Sequence, residues 1–122
     1  MPHLRHLLST YRSEPSCIPL VVTLLVRKLR RNHAQVRLSA FQVSAELFSR
    51  SHAFRALLIG DHFDEVIECC LETNPSTMPM PPPKSAGATL KKLALETVQS
   101  WAKEYGSAYK KLALGYNYLK QV

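Results

Sequence analysis

Histidine and cysteine are the residues of this sequence with the chemistry for metal binding or nucleophilic catalysis. The 122-residue chain has five histidines and three cysteines, of which Cys69 and Cys70 are adjacent. A zinc site needs about four ligands in short, paired spacings. On a helix, Cys69 and Cys70 point about 100° apart, and His62 lies two turns before Cys69, so these residues do not converge on one ion. The spacing therefore predicts no metal site.

Catalysis by a cysteine also needs a histidine base that the fold places beside it. Cys70 falls on an apolar helical stripe, which indicates a core residue. The sequence has no Walker loop, no GxSxG motif and no paired-carboxylate signature of general acid–base catalysis. We therefore expect a non-enzymatic protein without a cofactor. An odd number of cysteines, two of them adjacent, is not a disulfide framework and indicates reduced thiols in the cytosol or nucleus.

Lysine and arginine give the chain its strongest bias. They number 16 against 9 aspartates and glutamates, for a formal charge of +7. This excess favours nucleic acid, acidic lipid or acidic protein as a partner, and the alternative is a basic protein without such a ligand. The charges fall into two groups, which are Arg27, Lys28, Arg30, Arg31 and Arg37, and Lys103, Lys110, Lys111 and Lys120. They predict a phosphate-binding surface if they share one face, and scattered solvated positions if they do not.

Apolar residues recur every three or four positions along most of the chain, which predicts an all-helical protein without strands. Seven helices are predicted, at about residues 4–11, 19–30, 34–50, 52–59, 62–71, 85–105 and 107–120. Gly60 as a C′ residue and Asp61 as an N-cap are expected to separate the fourth helix from the fifth. Gly115, inside the last helix, indicates close helix packing. No apolar run approaches the roughly 20 residues that span a bilayer, and no signal peptide is recognisable, so we expect an intracellular protein without membrane contact.

The segment Asn74–Lys84, NPSTMPMPPPK, contains five prolines. Proline removes a backbone donor and clashes with the preceding helical turn, so this segment is predicted to be extended. We interpret it as a stiff linker within a single domain that covers residues 1–122. The alternative is a ligand for a proline-binding module, with a minimal PxxP pattern from Pro79 to Pro82.

Two stretches of the sequence are more specific than its periodicity. The first is RLSAFQ from Arg37, continued by ELFSRSHAFR at 46–55, and the second is AYKKLALGY at 108–116. With PPP at 81–83 and Trp101 between them, they closely resemble the N-terminal domain of the UV-stimulated scaffold protein A family, over about Leu24 to Leu119. Residues 1–16 are expected to match poorly, and the chain is expected to be a domain or fragment. The resemblance implies an all-α, right-handed superhelix of about seven helices, similar to VHS and ENTH domains.

The resemblance also implies a function. It predicts a non-enzymatic scaffold domain in transcription-coupled nucleotide excision repair, nuclear and chromatin-associated. Its implied partners are the Cockayne syndrome A protein and RNA polymerase II stalled at UV-induced DNA damage. Contacts with a deubiquitinase and transcription factor IIH are expected in family regions outside this chain. The alternatives are a VHS/ENTH-type trafficking adaptor that binds ubiquitin or phosphoinositide, and nonspecific DNA contact by the basic faces.

In a docking domain, function lies on exposed side chains that the core does not need. The predicted partner-binding residues carry basic or other polar groups on the third, fourth and last helices, and they are Arg37, Arg50, His52, Arg55, Lys110, Lys111, Asn117, Tyr118 and Lys120. For Arg37 and Arg55 the alternative is a structural salt bridge with a neighbouring glutamate.

Overall fold

Five helices form the part of the protein that the structure describes. This computed structural model describes residues 17–73, 75–76 and 79–121, with side chains up to position 117. The helices are α1 (Ile18–Leu29), α2 (Ala34–Arg50), α3 (His52–Leu71), α4 (Lys84–Tyr105) and α5 (Lys110–Gln121). Those residues contain no strand, so the predicted all-helical class is confirmed for them. The helix predicted at residues 4–11 lies outside the described residues.

Local sequence signals set the ends of α1 and α3. Pro19 occupies the first turn of α1, where its missing N–H costs no hydrogen bond. Arg27 and Lys28 lie in the last turn of α1, where positive charge is favoured by the helix dipole. Ser51 is the N-cap of α3, and its hydroxyl accepts a hydrogen bond from the backbone N–H of Phe54 at 3.1 Å. These local signals explain why α1 and α3 begin within one residue of the predicted positions 19 and 52.

The predicted break at Gly60 is wrong. Helix α3 runs through Gly60 and Asp61 for 20 residues, so the fourth and fifth predicted helices are one. Gly60 does not take the positive φ that a left-handed C′ residue requires. A glycine inside a helix costs only about 1 kcal/mol relative to alanine, and α3 packs against α1, α2, α4 and α5 along its length. Burial on four neighbours outweighs that local cost.

An aromatic cluster joins α2 to α4 in the core. Phe41 and Phe48 of α2 are fully buried, and Trp101 of α4 is 5% exposed. The rings of Phe48 and Trp101 are stacked with centroids 3.8 Å apart, and Phe41 lies 5.9 Å from Trp101. The unusually wide apolar stripe of α2 is explained by its contacts with α1, α3 and α4.

The second half of the proline-rich segment is held against the helices at Met80 and Pro82. Glu72, in the left-handed region with φ of 52°, closes α3. Its carboxylate accepts a hydrogen bond from the backbone N–H of Met80 and pairs with Lys91 Nζ of α4 at 2.9 Å. The Pro82 carbonyl accepts the N–H of Ala34 at 2.9 Å. The segment ends at Pro83, one residue earlier than predicted, because the next helix begins at Lys84.

Candidate functional site

Arg37 was predicted on the exposed surface, and that prediction is wrong. Its side chain is only 5% exposed. Nε donates to the Arg31 carbonyl at 2.7 Å, and a terminal nitrogen donates to the Cys69 carbonyl at 2.9 Å. The salt bridge with a glutamate, considered as the alternative, is also absent among the described residues. Arg37 instead ties the α1–α2 turn to the last turns of α3, where free carbonyls need donors.

Arg55 is half-buried at the junction of α2 and α3. A terminal nitrogen donates to the Phe48 carbonyl at 2.7 Å, close to the C-terminus of α2. The guanidinium lies over the Tyr105 ring, 4.5 Å from its centroid, in a cation–π contact. Its Nε is buried and has no hydrogen-bond partner among the described residues. Arg55 therefore connects α2, α3 and α4 without a glutamate.

The structure brings together two groups of predicted residues that are far apart in the sequence. His52 Nδ1 at the start of α3 lies 3.5 Å from the Tyr109 hydroxyl, just before α5. Arg50 and Lys110, both exposed, adjoin this pair in the chain. We call Arg50, His52, Arg55, Tyr109 and Lys110 the corner surface. It combines two arginines with a tyrosine, and both residue types are enriched in the energetically important part of protein interfaces.

Two of the exposed cations around this corner already have partners. Arg50 forms an ion pair with Glu46, one helical turn before it. Lys111 Nζ donates to the Gly60 carbonyl of α3 at 2.6 Å, so it borders the corner surface and reaches along α3. Lys110 is exposed and has no ion pair or hydrogen bond with another described residue, which makes its charge the most available of the three.

Of the remaining predicted residues, the structure describes the side chain of Asn117, which is not part of the corner. Asn117 is exposed two turns further along α5, beside Gln99 and Lys103 of α4. The side chains of Tyr118 and Lys120 lie outside the described residues. Tyr105 and Tyr109 are not among the predicted partner-binding residues, and the structure shows both half-buried at the corner. The sequence signal that could have indicated them is Gly106. This glycine marks the turn between α4 and α5, and the two tyrosines lie on either side of that turn.

The described members of the two basic groups lie on different sides of α3. Arg30 of α1 pairs with Glu65 of α3 at 3.2 Å, whereas Lys111 of α5 reaches Gly60. Gly60 and Glu65 are five positions apart, which places them about 140° apart around the α3 axis. The structure therefore does not join Arg30 and Lys111 in one phosphate-binding face.

The adjacent cysteines are buried. Loss of hydration on burial raises the pKa of both thiols, and for Cys70 the neighbouring Cys69 raises it further. A raised pKa favours the thiol over the nucleophilic thiolate. Within the described residues no three His, Cys, Asp or Glu side chains are grouped as a metal site requires. None of the helices in that part of the chain is long and apolar enough to cross a membrane.

Comparison with known proteins identifies the sequence family of this chain. A family model described as the UVSSA N-terminal domain matches residues 2–122. The chain belongs to this family. The match begins near the first residue, so the similarity to the UVSSA N-terminal domain reaches further toward the N-terminus than the prediction from Leu24.

Relatives named UV-stimulated scaffold protein A cover most of the chain. The protein of Xenopus tropicalis is 48% identical over 118 residues, which are 97% of this chain and 16% of that relative. The Danio rerio protein is 52% identical over 99 residues, 81% of this chain and 14% of the relative. The homolog from Arabidopsis thaliana is 34% identical over 117 residues, with 96% and 17% covered. The chain thus spans about one-sixth of the length of these relatives.

Proposed function

We propose that this domain is a non-enzymatic docking module of a scaffold that acts in the UV response. Membership of the UVSSA N-terminal domain family and relatives named UV-stimulated scaffold proteins support this role. In finer terms, the proposed process is transcription-coupled nucleotide excision repair in the nucleus, on chromatin. The proposed partners are the Cockayne syndrome A protein and RNA polymerase II stalled at UV-induced DNA damage. Contacts with a deubiquitinase and transcription factor IIH are proposed for other parts of the family's proteins.

The observation that carries this proposal is the approach of His52 to Tyr109 across 57 positions of sequence. Helix packing thereby gathers predicted partner-binding residues from α2, α3 and the start of α5 at one corner. Half-buried Arg55 is pre-positioned there by the Phe48 carbonyl and the Tyr105 ring, so little side-chain entropy is lost when a partner covers it. An aromatic and arginine centre with exposed lysines at its edge is typical of a docking surface.

The order of the helices supports a VHS/ENTH-like superhelix as the proposed architecture. Each helix from α1 to α5 packs on the one that follows it, and α1 with α3, α2 with α4 and α3 with α5 also pack together. Contacts between elements one and two positions apart are those of a helical solenoid. The proposed right-handed winding is to be tested by an experimental structure.

The proposal is tested by binding of the full chain to purified Cockayne syndrome A protein. The double variant Lys110→Glu/Lys111→Glu changes the charge by four units at the corner, and we expect affinity to fall about tenfold or more. Lys84→Glu/Lys92→Glu makes the same change in charge on exposed positions of α4, and it should bind as the wild type does. Equal affinity of all three proteins, with melting temperatures unchanged, would remove the corner surface as the docking site.

A further inference from the structure

A second surface lies on α3, between α1 and α5, and its charge is opposite to that of the chain as a whole. A helix turns by about 100° per residue, so with Gly60 at 0° around the α3 axis, Glu65 lies at about 140°. Three carboxylates lie between these two positions, at about 40°, 80° and 100°, and they belong to Asp64, Glu68 and Asp61. All three are exposed. They form an acidic stripe on a protein with a formal charge of +7.

The carboxylates of this stripe are not neutralised within the described residues. The ion pairs found there use Glu46, Glu65 and Glu72, and none uses Asp61, Asp64 or Glu68. Lys111 of α5 lines the same groove, and its ammonium donates to the Gly60 carbonyl and pairs with none of these three carboxylates. The stripe of three carboxylates therefore carries more negative charge than the one ammonium beside it offsets.

The stripe forms one wall of a groove between α3 and α5. The groove encloses about 700 Å³, and Asp64 and Glu68 line it together with apolar Phe63 and Ile67. Leu114 of α5 projects from the opposite wall with 68% of its surface exposed. An isolated exposed leucine is ordinary, but one beside an open groove with an apolar floor offers an anchoring contact.

Glycine at position 115 keeps the two walls close at this point. A Cβ atom built on Gly115 would lie 2.5 Å from Cε2 of Phe63, which is closer than two carbon atoms can pack. The α5 backbone at Gly115 therefore packs directly on the Phe63 ring of α3, below the groove. Phe63 is 3% exposed and its packing fixes the floor. The groove is a preformed feature of the helix packing, which lowers the ordering cost of filling it.

We infer that this groove binds a helical segment of a partner protein that presents an apolar side chain between two lysines or arginines one turn apart. Asp64 and Glu68 are at i and i+4, so their Cβ atoms are about 6 Å apart, which matches the spacing of two basic residues on one face of a helix. The apolar side chain lies between Leu114 and the floor, and the cations meet the carboxylates. This is recognition of a helix in a groove, and it is independent of the corner surface and its partner.

The test uses two synthetic alanine-based helical peptides, added to the isotope-labelled full chain and followed by NMR. The first carries a central leucine with two lysines at i and i+4, and the second carries glutamates instead. The lysine peptide is expected to shift the amide signals of Asp64, Ile67, Glu68 and Leu114, and to bind about tenfold more tightly than the glutamate peptide.

Charge reversal makes the test specific to this groove. Asp64→Lys/Glu68→Lys is expected to reverse the preference, with the glutamate peptide now binding about tenfold more tightly. Glu96→Lys/Glu104→Lys makes the same change on exposed positions of α4 and should leave the preference as in the wild type. Leu114→Ala keeps every charge and should weaken the lysine peptide about threefold to tenfold. Melting curves establish that each variant is folded.

Three results would overturn the inference. One is a preference that survives reversal of Asp64 and Glu68, since the lysine peptide would then be held elsewhere. Another is concentration-dependent dimerisation that Leu114→Ala abolishes, which would assign the groove to a second copy of the chain. The third is a change at the groove amides when residues 1–16 are deleted, with the lysine peptide binding only after the deletion. That result would show that residues 1–16 of the same chain occupy the groove. Because Lys111 also lines this groove, Lys110→Glu alone separates the two proposals, and loss of binding to the Cockayne syndrome A protein in that variant would leave this inference untouched.

Discussion

Phe48 of α2 and Trp101 of α4 stack with ring centroids 3.8 Å apart and an interplanar angle of 14°. Tyr105, one turn after Trp101, meets the edge of the same Phe48 ring at 5.5 Å. The contact places the end of α4 against the end of α2, and so positions the Tyr105 ring under the guanidinium of Arg55. Stability of the core and geometry of the corner surface are thus coupled through one phenylalanine.

Trp101→Ala is expected to destabilise the domain by about 3–5 kcal/mol, because it removes a large buried side chain and leaves a cavity between two helices. Trp101→Phe retains a stacking ring and should cost less. Chemical denaturation followed by circular dichroism measures both free energies of unfolding. A change below about 1 kcal/mol for Trp101→Ala would show that the stacked pair does not hold α4 to α2.

Arg37→Ala should cost about 3 kcal/mol, since it leaves the carbonyls of Arg31 and Cys69 without their charged donor. Arg31→Ala is the matched control, because the Arg31 side chain is exposed and its carbonyl is retained. Urea denaturation of both variants compares them directly. If Arg37→Ala were neutral for stability yet impaired partner binding, the structural role given to Arg37 would be refuted and its original assignment as a partner-binding residue restored.

Two glycines in helices are expected to respond to alanine in opposite directions. Gly60→Ala should stabilise by about 0.5–1 kcal/mol, because a Cβ at this exposed helical position meets nothing within 4 Å and alanine is the better helix former. Gly115→Ala should destabilise by about 1–3 kcal/mol, because the added methyl overlaps the buried Phe63 ring. Thermal unfolding distinguishes the two, and the same sign for both substitutions would contradict the packing described for α5.

Smaller side chains at position 63 should relieve that overlap. In Phe63→Leu, the further change Gly115→Ala is expected to cost less than in the wild type, by about 1 kcal/mol in a double-mutant cycle. Additive effects of the two substitutions would mean that the methyl at 115 does not meet the ring at 63.

Glu72 gives the fold a defined pH dependence. The backbone N–H of Met80, with Lys91 next in importance, holds the pKa of the Glu72 carboxyl below its ordinary value of 4.5. The unfolded chain therefore takes up this proton at a higher pH than the folded chain does. The stabilisation is complete above the ordinary pKa and is lost as the pH falls through the lowered pKa of the folded state.

The measurement is the free energy of unfolding of the wild type and Glu72→Gln between pH 3 and pH 7. The wild type should be the more stable at pH 7, and the difference should shrink below about pH 4.5, as the carboxylate becomes protonated. Glu96→Gln, at an exposed carboxylate without an ion pair among the described residues, serves as the control and should change the curve little. A Glu72→Gln difference that is constant across this range would contradict the stabilising role of the charge.

Helix α2 shows how far sequence reasoning reaches. Its predicted limits, Ala34 and Arg50, are those observed, because the apolar period and the residues at both ends are local signals. The prediction failed at Gly60 because the glycine signal is local, whereas the packing that carries α3 through it comes from four other helices. Local preference is overridden where burial on neighbours is this extensive.

The candidate site was predicted in part for the same reason. Most residues of the corner surface were predicted from their type as partner-binding residues. Their proximity depends on the packing of the start of α5 against the start of α3, which the His52–Tyr109 contact shows. The burial of Arg37 depends on a carbonyl 32 positions away, which periodicity does not reveal. The acidic stripe was not predicted as a binding surface, because a sequence does not show that α5 leaves a groove beside it.

Site-specific photocrosslinking tests most directly whether the corner surface docks the Cockayne syndrome A protein. A photoreactive phenylalanine replaces Tyr109 in one version of the full chain, and Leu95, exposed on α4, in another. Each is irradiated with the purified partner, and crosslinked peptides are identified by mass spectrometry. We predict a crosslink from position 109 and none from position 95, with the former lost in Lys110→Glu/Lys111→Glu. Crosslinking from position 95 alone would contradict the proposed docking surface.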